Sequence, residues 1–246
     1  MADAVSVLNY AIIVVAIASL LYGSYTDVKR RTVKALLFVP LMLLGIAINL
    51  VLHAPYIFIV WGSLIFVVSF LDPETYAYGI MAAIFIAVSA FTMFLVGYFW
   101  GFQLLIISVV YAMGFTERLF GIGDIKGIIA VMFASTLYTP LADSVLYGHF
   151  AYVDFPTSLS ILVDTAIFSI LFLAYAMYLS RKHGAVAVKG EPFAIRYDSG
   201  LAGRNEQAYK IGEKDGVRYM AYRIPFMVAI LLGYIMFMIM GSPIFL

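Results

Sequence analysis

The chain contains no cysteine. That excludes disulfides, iron–sulfur clusters, Cys-ligated zinc and thiol nucleophiles. Only three histidines occur, His53, His149 and His183, and their wide separation gives a metal site no support. Charge is scarce as well: Asp, Glu, Lys and Arg make up 12% of the 246 residues, about half the share found in a soluble domain. Hydrophobic residues make up 64%. A globule of this length has no interior large enough for so much apolar surface, so lipid is the solvent for most of the chain. Soluble enzymes, coiled coils and disordered scaffolds are excluded. The net charge of +1 carries no sign of a nucleic-acid partner, and nothing in the sequence calls for a cofactor.

A membrane span needs roughly 20 apolar residues. Apolar runs lie at Val5–Tyr25, Ala35–Leu52, Tyr56–Leu71, Tyr78–Phe99, Phe102–Met113, Ile125–Leu141, Leu159–Leu179 and Ile224–Phe245. The expected fold is an all-α polytopic membrane protein, a bundle of about eight transmembrane helices. A six-span bundle, in which the runs between 56 and 113 cross only in part, is the alternative. The fifth run is short. It either pairs with the fourth as a tight hairpin around Gly97 and Gly101 or uses that Gly-x-x-x-Gly for close helix packing. The first run reads as a span and not as a cleaved signal peptide, because no Lys or Arg precedes it.

Basic residues orient the bundle. Lys29, Arg30, Arg31 and Lys34 follow the first run, which puts its N-terminus outside and its C-terminal end in the cytoplasm. With eight spans, the cytoplasmic loops are 26–34, 72–77, 114–124 and 180–223, and all 15 Lys and Arg residues fall in these loops or at their edges. The 141–158 loop, on the other side, offers only Asp143, His149 and Asp154 as acidic or basic side chains. One stretch is hydrophilic: residues 181–223 hold nine basic and five acidic residues, an excess of +4. Its alternating segments, Ala185–Val188 and Val217–Ala221, and the turn signal Asp215-Gly216 predict a small, partly β cytoplasmic segment. Its basic excess suits anionic headgroups. The chain then divides into a bundle over 1–180, the hydrophilic segment 181–223 and a last span over 224–246.

Three carboxylates stand out. Asp27 closes the first span in Thr26-Asp27-Val28-Lys29-Arg30-Arg31; its ordinary reading is a solvated residue paired with a basic neighbour. Asp124 lies where a cytoplasmic loop enters a span, in Gly121-Ile122-Gly123-Asp124-Ile125-Lys126. Its ordinary reading is a helix N-cap, but the two glycines before it also let an extended peptide approach closely. Asp164 lies inside a predicted span, where a charge costs at least about 2.5 kcal/mol at the bilayer centre. It is expected about a turn from the external end, within reach of water, in a structural role such as an interhelical hydrogen bond. Asp27 and Asp124 share the predicted cytoplasmic face, and Asp164 is at the other. Two neighbouring carboxyls resist losing both protons. The ionised one can take a proton from water while the protonated one polarises a peptide carbonyl, which is aspartic protease chemistry without metal or cofactor.

At these residues the sequence resembles the Gly-x-Gly-Asp membrane aspartyl proteases, and more narrowly the archaeal prepilin and preflagellin (prearchaellin) peptidases of the type IV prepilin peptidase family. Three places carry the likeness: Asp27-Val28-Lys29-Arg30-Arg31, Gly121-Ile122-Gly123-Asp124-Ile125-Lys126, and Tyr222-Arg223-Ile224-Pro225-Phe226 at the entry to the last span. The resemblance implies a membrane aspartyl endopeptidase with Asp27 and Asp124 as catalytic residues. Gly121, Gly123 and Lys126 then belong to the active-site loop. Its partners would be archaellin or type IV pilin-like precursors in the cell membrane, losing a short basic leader at the cytoplasmic face. Bacterial relatives often carry loop cysteines and also methylate the new N-terminus, so a cysteine-free chain is closer to the protease-only archaeal type. Lys29, Arg31 and Lys126 are expected as headgroup anchors or as residues that tune the dyad. Glu117, Asp72 and Glu74 are solvated loop acids or an attraction for the leader. Two other functions are open at this point: a presenilin-like intramembrane protease, although the Pro-Ala-Leu motif is missing, and a proton-coupled small transporter using Asp164.

Overall fold

A computed structural model describes residues 2–30, 33–71, 75–114, 122–136, 156–188, 191, 193–204, 209–214, 216–222 and 224–240. Each apolar run contains a helix. The helices are α1 (Ala2–Arg30), α2 (Val39–Val51, entered through a 3-10 turn at Ala35–Phe38), α3 (Tyr56–Val68), α4 (Thr75–Val96), α5 (Tyr98–Met113), α6 (Ile122–Ala134), α7 (Thr157–Lys182) and α9 (Phe226–Met240). Among the described residues, three stretches are long and apolar enough to cross a membrane, Val5–Arg30, Ala77–Val96 and Thr157–Lys182. The others are apolar but shorter, so the chain is a helical membrane protein with at least these three spanning candidates. The fourth and fifth runs form the expected tight hairpin. The break is the single residue Gly97, whose φ of 92° suits glycine. Four residues on, a Cβ on Gly101 would lie 2.4 Å from the Met93 Cα, so the two helices pack backbone to backbone.

The centre of the bundle is α6. From Ile128 to Ala134 every residue is buried, as expected of a helix that is apolar all round and meets protein on every side. Its Phe133 ring stacks on Phe58 of α3 with centroids 5.4 Å apart. That ring fills the space left by Gly62 of α3 and Gly45 of α2, where an added Cβ would lie 2.5 Å and 2.9 Å from it. Asn49 of α2 ties the same level together, its Nδ2 donating to the carbonyls of Gly45 at 2.7 Å and Phe133 at 3.2 Å. By contrast, α1, α4 and α7 each leave a flank of large apolar side chains exposed: Val7, Val14 and Leu21; Ile84, Phe91 and Phe94; Ile170 and Leu171.

Between α7 and α9 the chain leaves the bundle, as the composition of 181–223 predicted. It forms β1 (Ala194–Arg196), the short helix α8 (Ser199–Arg204), β2 (Tyr209–Lys214) and β3 (Val217–Tyr222), an antiparallel sheet in the order β1-β3-β2. Lys214 pairs with Val217, so the β2–β3 hairpin turns over two residues, with Gly216 at φ 73°. The expected strand at Ala185–Val188 is reduced to two isolated bridges, Ala185 to Ile195 and Val188 to Glu191.

Candidate active site

Asp27 lies in the last turn of α1 and Asp124 in the first turn of α6. Each is only 8% exposed, so the reading of Asp27 as a solvated residue is corrected. So is the N-cap reading of Asp124: α6 already starts at Ile122, which places Asp124 inside its first turn. A carboxylate there faces the positive end of the helix dipole.

The third element at this place is α9. The Met227 backbone N–H donates to Asp27 Oδ2 at 3.2 Å. Met227 is the second residue of α9, and a backbone N–H so close to a helix start has no acceptor within its own helix. Asp27 supplies one and is held in place by it. The Met227 side chain is fully buried and lies between glycines of the two other helices. A Cβ on Gly23, one turn before Asp27, would lie 3.1 Å from Met227 Cγ. A Cβ on Gly127, one turn beyond Asp124, would lie 3.2 Å from Met227 Cε and 2.9 Å from Phe38 Cζ. The start of α9 is thus wedged between the carboxylate-bearing ends of α1 and α6. These contacts bring the ends carrying Asp27 and Asp124 to one place in the bundle.

Gly123 is a point of close approach, though to the protein's own chain. A Cβ on it would lie 2.9 Å from the Val33 carbonyl oxygen, so the connection that follows α1 lies against the start of α6. Lys126 points inward: it is 8% exposed, with Nζ 4.7 Å from the centroid of the Phe70 ring. A headgroup anchor would be exposed, so that reading of Lys126 is corrected. Lys29 fits it, being exposed with Nζ donating to Tyr25 Oη at 2.9 Å. Gly121, Arg31, Asp72, Glu74 and Glu117 lie outside the described residues. Among the described residues no group of three His, Cys, Asp or Glu side chains is placed to hold a metal ion.

Asp164 is not brought to this place. It lies in α7 at 0% exposure, and among the described residues neither carboxylate oxygen has a hydrogen-bond partner. Both parts of the expectation, access to water and an interhelical hydrogen bond, are therefore corrected. Nearer the start of α7, Gln103 of α5 closes the bundle. Its Oε1 accepts from Thr157 Oγ1 at 3.0 Å and Ser158 Oγ at 2.7 Å, and its Nε2 donates to the Thr136 carbonyl at 3.1 Å. An unpartnered buried polar group costs about 1–3 kcal/mol. Asp164→Leu is expected to raise stability by about that amount, read as a higher unfolding temperature in detergent.

Sequence reasoning pointed to the entry of the last span through Ile224-Pro225-Phe226 but missed Met227, Gly23, Gly127 and Phe70. A lone Met or Gly in an apolar run carries no signal of its own. No family model, no curated protein and no solved structure matches this chain.

Proposed function

We propose that this chain is a membrane aspartyl endopeptidase of the prepilin peptidase type. It removes the short basic leader of archaellin or type IV pilin-like precursors at the cytoplasmic membrane face. The observation that carries the reading is that the last turn of α1 and the first turn of α6, each bearing a buried aspartate, pack against the same residue, Met227, at the start of α9. The motif likeness at Asp27, at Gly121–Asp124 and at the entry to α9 supports the same reading. All eight apolar helices cross the membrane in this account, with the N-terminus outside. Shorter helices such as α3 and α6 cross where the bundle surrounds them or the bilayer thins.

The chemistry follows from the two carboxyls. The ionised one takes a proton from a water molecule, and that water attacks the carbonyl carbon of the scissile bond. The protonated one donates to the carbonyl oxygen as the tetrahedral intermediate forms. The Met227 N–H and the wedge below it position Asp27, and the contact of Gly123 with Val33 positions Asp124. Gly123→Ala pushes the two segments apart. It is expected to lower kcat about 100-fold with little change in KM, because a displacement of about 1 Å at a reacting group costs that much. Single-turnover cleavage checks this.

Co-expression with an archaellin or pilin precursor tests the function itself. Leader removal appears as a mobility shift, and absence of cleavage with several precursors sinks the assignment. A proton-coupled transporter is the second reading, favoured by Asp164 alone, since a buried carboxylate within a candidate span also marks ion paths. In that case Asp164→Asn abolishes transport and the variants of Asp27 and Asp124 do not.

A further inference from the structure

The small sheet has two unlike faces. Tyr209 pairs with Tyr222, and Met220 pairs with both Ile211 and Ile195, so these five side chains share one face. Lys210 and Lys214 lie on the other, with Ala221 and Val217 opposite them. The segment before β1 covers that second face: Val188 packs on Ala194, Tyr219 and Ala221, and Glu191 bridges Lys210 at 2.6 Å. The protein itself covers the centre of the aromatic face, where Met220 and Ile195 are buried, and the exposed part is a margin with Ile211, Glu213 and Arg218. The face also continues onto α7. The Tyr222 ring meets those of Tyr209 and Tyr175 edge-on, at 6.0 Å and 6.3 Å. Burial, then the neighbouring Tyr222 and Tyr175, push the Tyr209 phenol above its ordinary value.

Tyr175 belongs to the outward flank of α7, where Ile170, Leu171 and Tyr178 are also exposed. On a spanning helix that flank faces lipid. The helix ends in Arg181 and Lys182, both exposed and neither in an ion pair among the described residues.

We infer that the aromatic face of the sheet docks on the membrane surface, seated against anionic lipid headgroups beside the end of α7. Tyrosines, apolar in body and polar at the tip, belong at headgroup depth. Cations at that depth favour anionic lipid by about fivefold each. Only residues 223–225 separate β3 from α9, so a docked sheet also fixes the approach of the chain to Met227. The inference stands apart from the proposed peptidase activity.

The absence of cysteine makes the test direct. Ile211→Cys in the full chain takes a single fluorescent label, and the protein is reconstituted in vesicles that carry a headgroup-linked quencher. One set is phosphatidylcholine alone and the other also contains phosphatidylglycerol. Quenching at position 211 is expected to rise several-fold with the anionic lipid, and a label at Lys214→Cys, on the opposite face, to stay unquenched. Arg181→Gln with Lys182→Gln is expected to remove most of that gain, since each cation is worth about fivefold in the preference for anionic lipid. Equal quenching in both vesicles, none in either, or quenching at position 214 instead overturns the inference. The contrast between labels at 211 and 214 decides the matter even where the Gln variants do not fold.

Discussion

Asp27→Asn and Asp124→Asn each lower precursor cleavage by about 10³-fold or more, the range expected for loss of a general acid or base. Asn keeps the shape of the side chain and removes its proton chemistry, so expression and melting temperature stay close to wild type. The double variant is no worse than either single one, because two groups that act on one water fail together. Asp164→Asn cleaves at the wild-type rate. Its carboxyl is buried in α7, apart from the junction of α1, α6 and α9. Cleavage of a radiolabelled precursor by membranes from these four variants and the wild type reads all of this at once.

Met227→Ala carries the second large effect. The side chain fills the space between Gly23 and Gly127, and truncating a buried methionine costs about 2–5 kcal/mol. The vacated space lies beneath both aspartates, so kcat falls along with stability. Gly23→Ala restores part of the loss in this background. In the wild type the same change is destabilising, since its Cβ would lie 3.1 Å from Met227 Cγ. The two substitutions are thus expected to couple, by about 0.5–3 kcal/mol in a double-mutant cycle. Additive effects would mean that Met227 does not sit between α1 and α6.

The elements were legible in the sequence because lipid imposes a simple demand. A run such as Leu159–Leu179 has few alternatives to a helix, since every backbone polar group must be satisfied within the segment. The hairpin at Gly97 and the turn at Gly216 were legible for the same kind of reason, as residues that tolerate positive φ. What lay hidden was the direction each helix faces. An apolar residue suits a lipid-facing flank and a protein interior equally, so nothing in Ile128–Ala134 marks α6 as the centre. Lys126 was misjudged for a related reason: a cation near a membrane face is usually an anchor, and only the placement of the Phe70 ring shows it turned inward. Asp164 lies further along its helix than the apolar run suggests. Its helix begins at Thr157, before the predicted start at Leu159, and Gln103 joins Thr157, Ser158 and Thr136 near that end. The basic residues pointed to one end of the bundle for both Asp27 and Asp124, whereas the wedge of α9 between the helix ends that carry them needed the three-dimensional packing.

The central claim is that the two aspartates form one unit. Because the chain has no cysteine, Asp27→Cys with Asp124→Cys carries only the two thiols of interest. In intact membranes, a short bifunctional thiol reagent followed by cleavage of the chain between positions 27 and 124 shows whether the fragments stay joined. The account predicts efficient joining for this pair and none for Asp27→Cys with Asp164→Cys. No joining of the first pair, or equal joining of both, would contradict it.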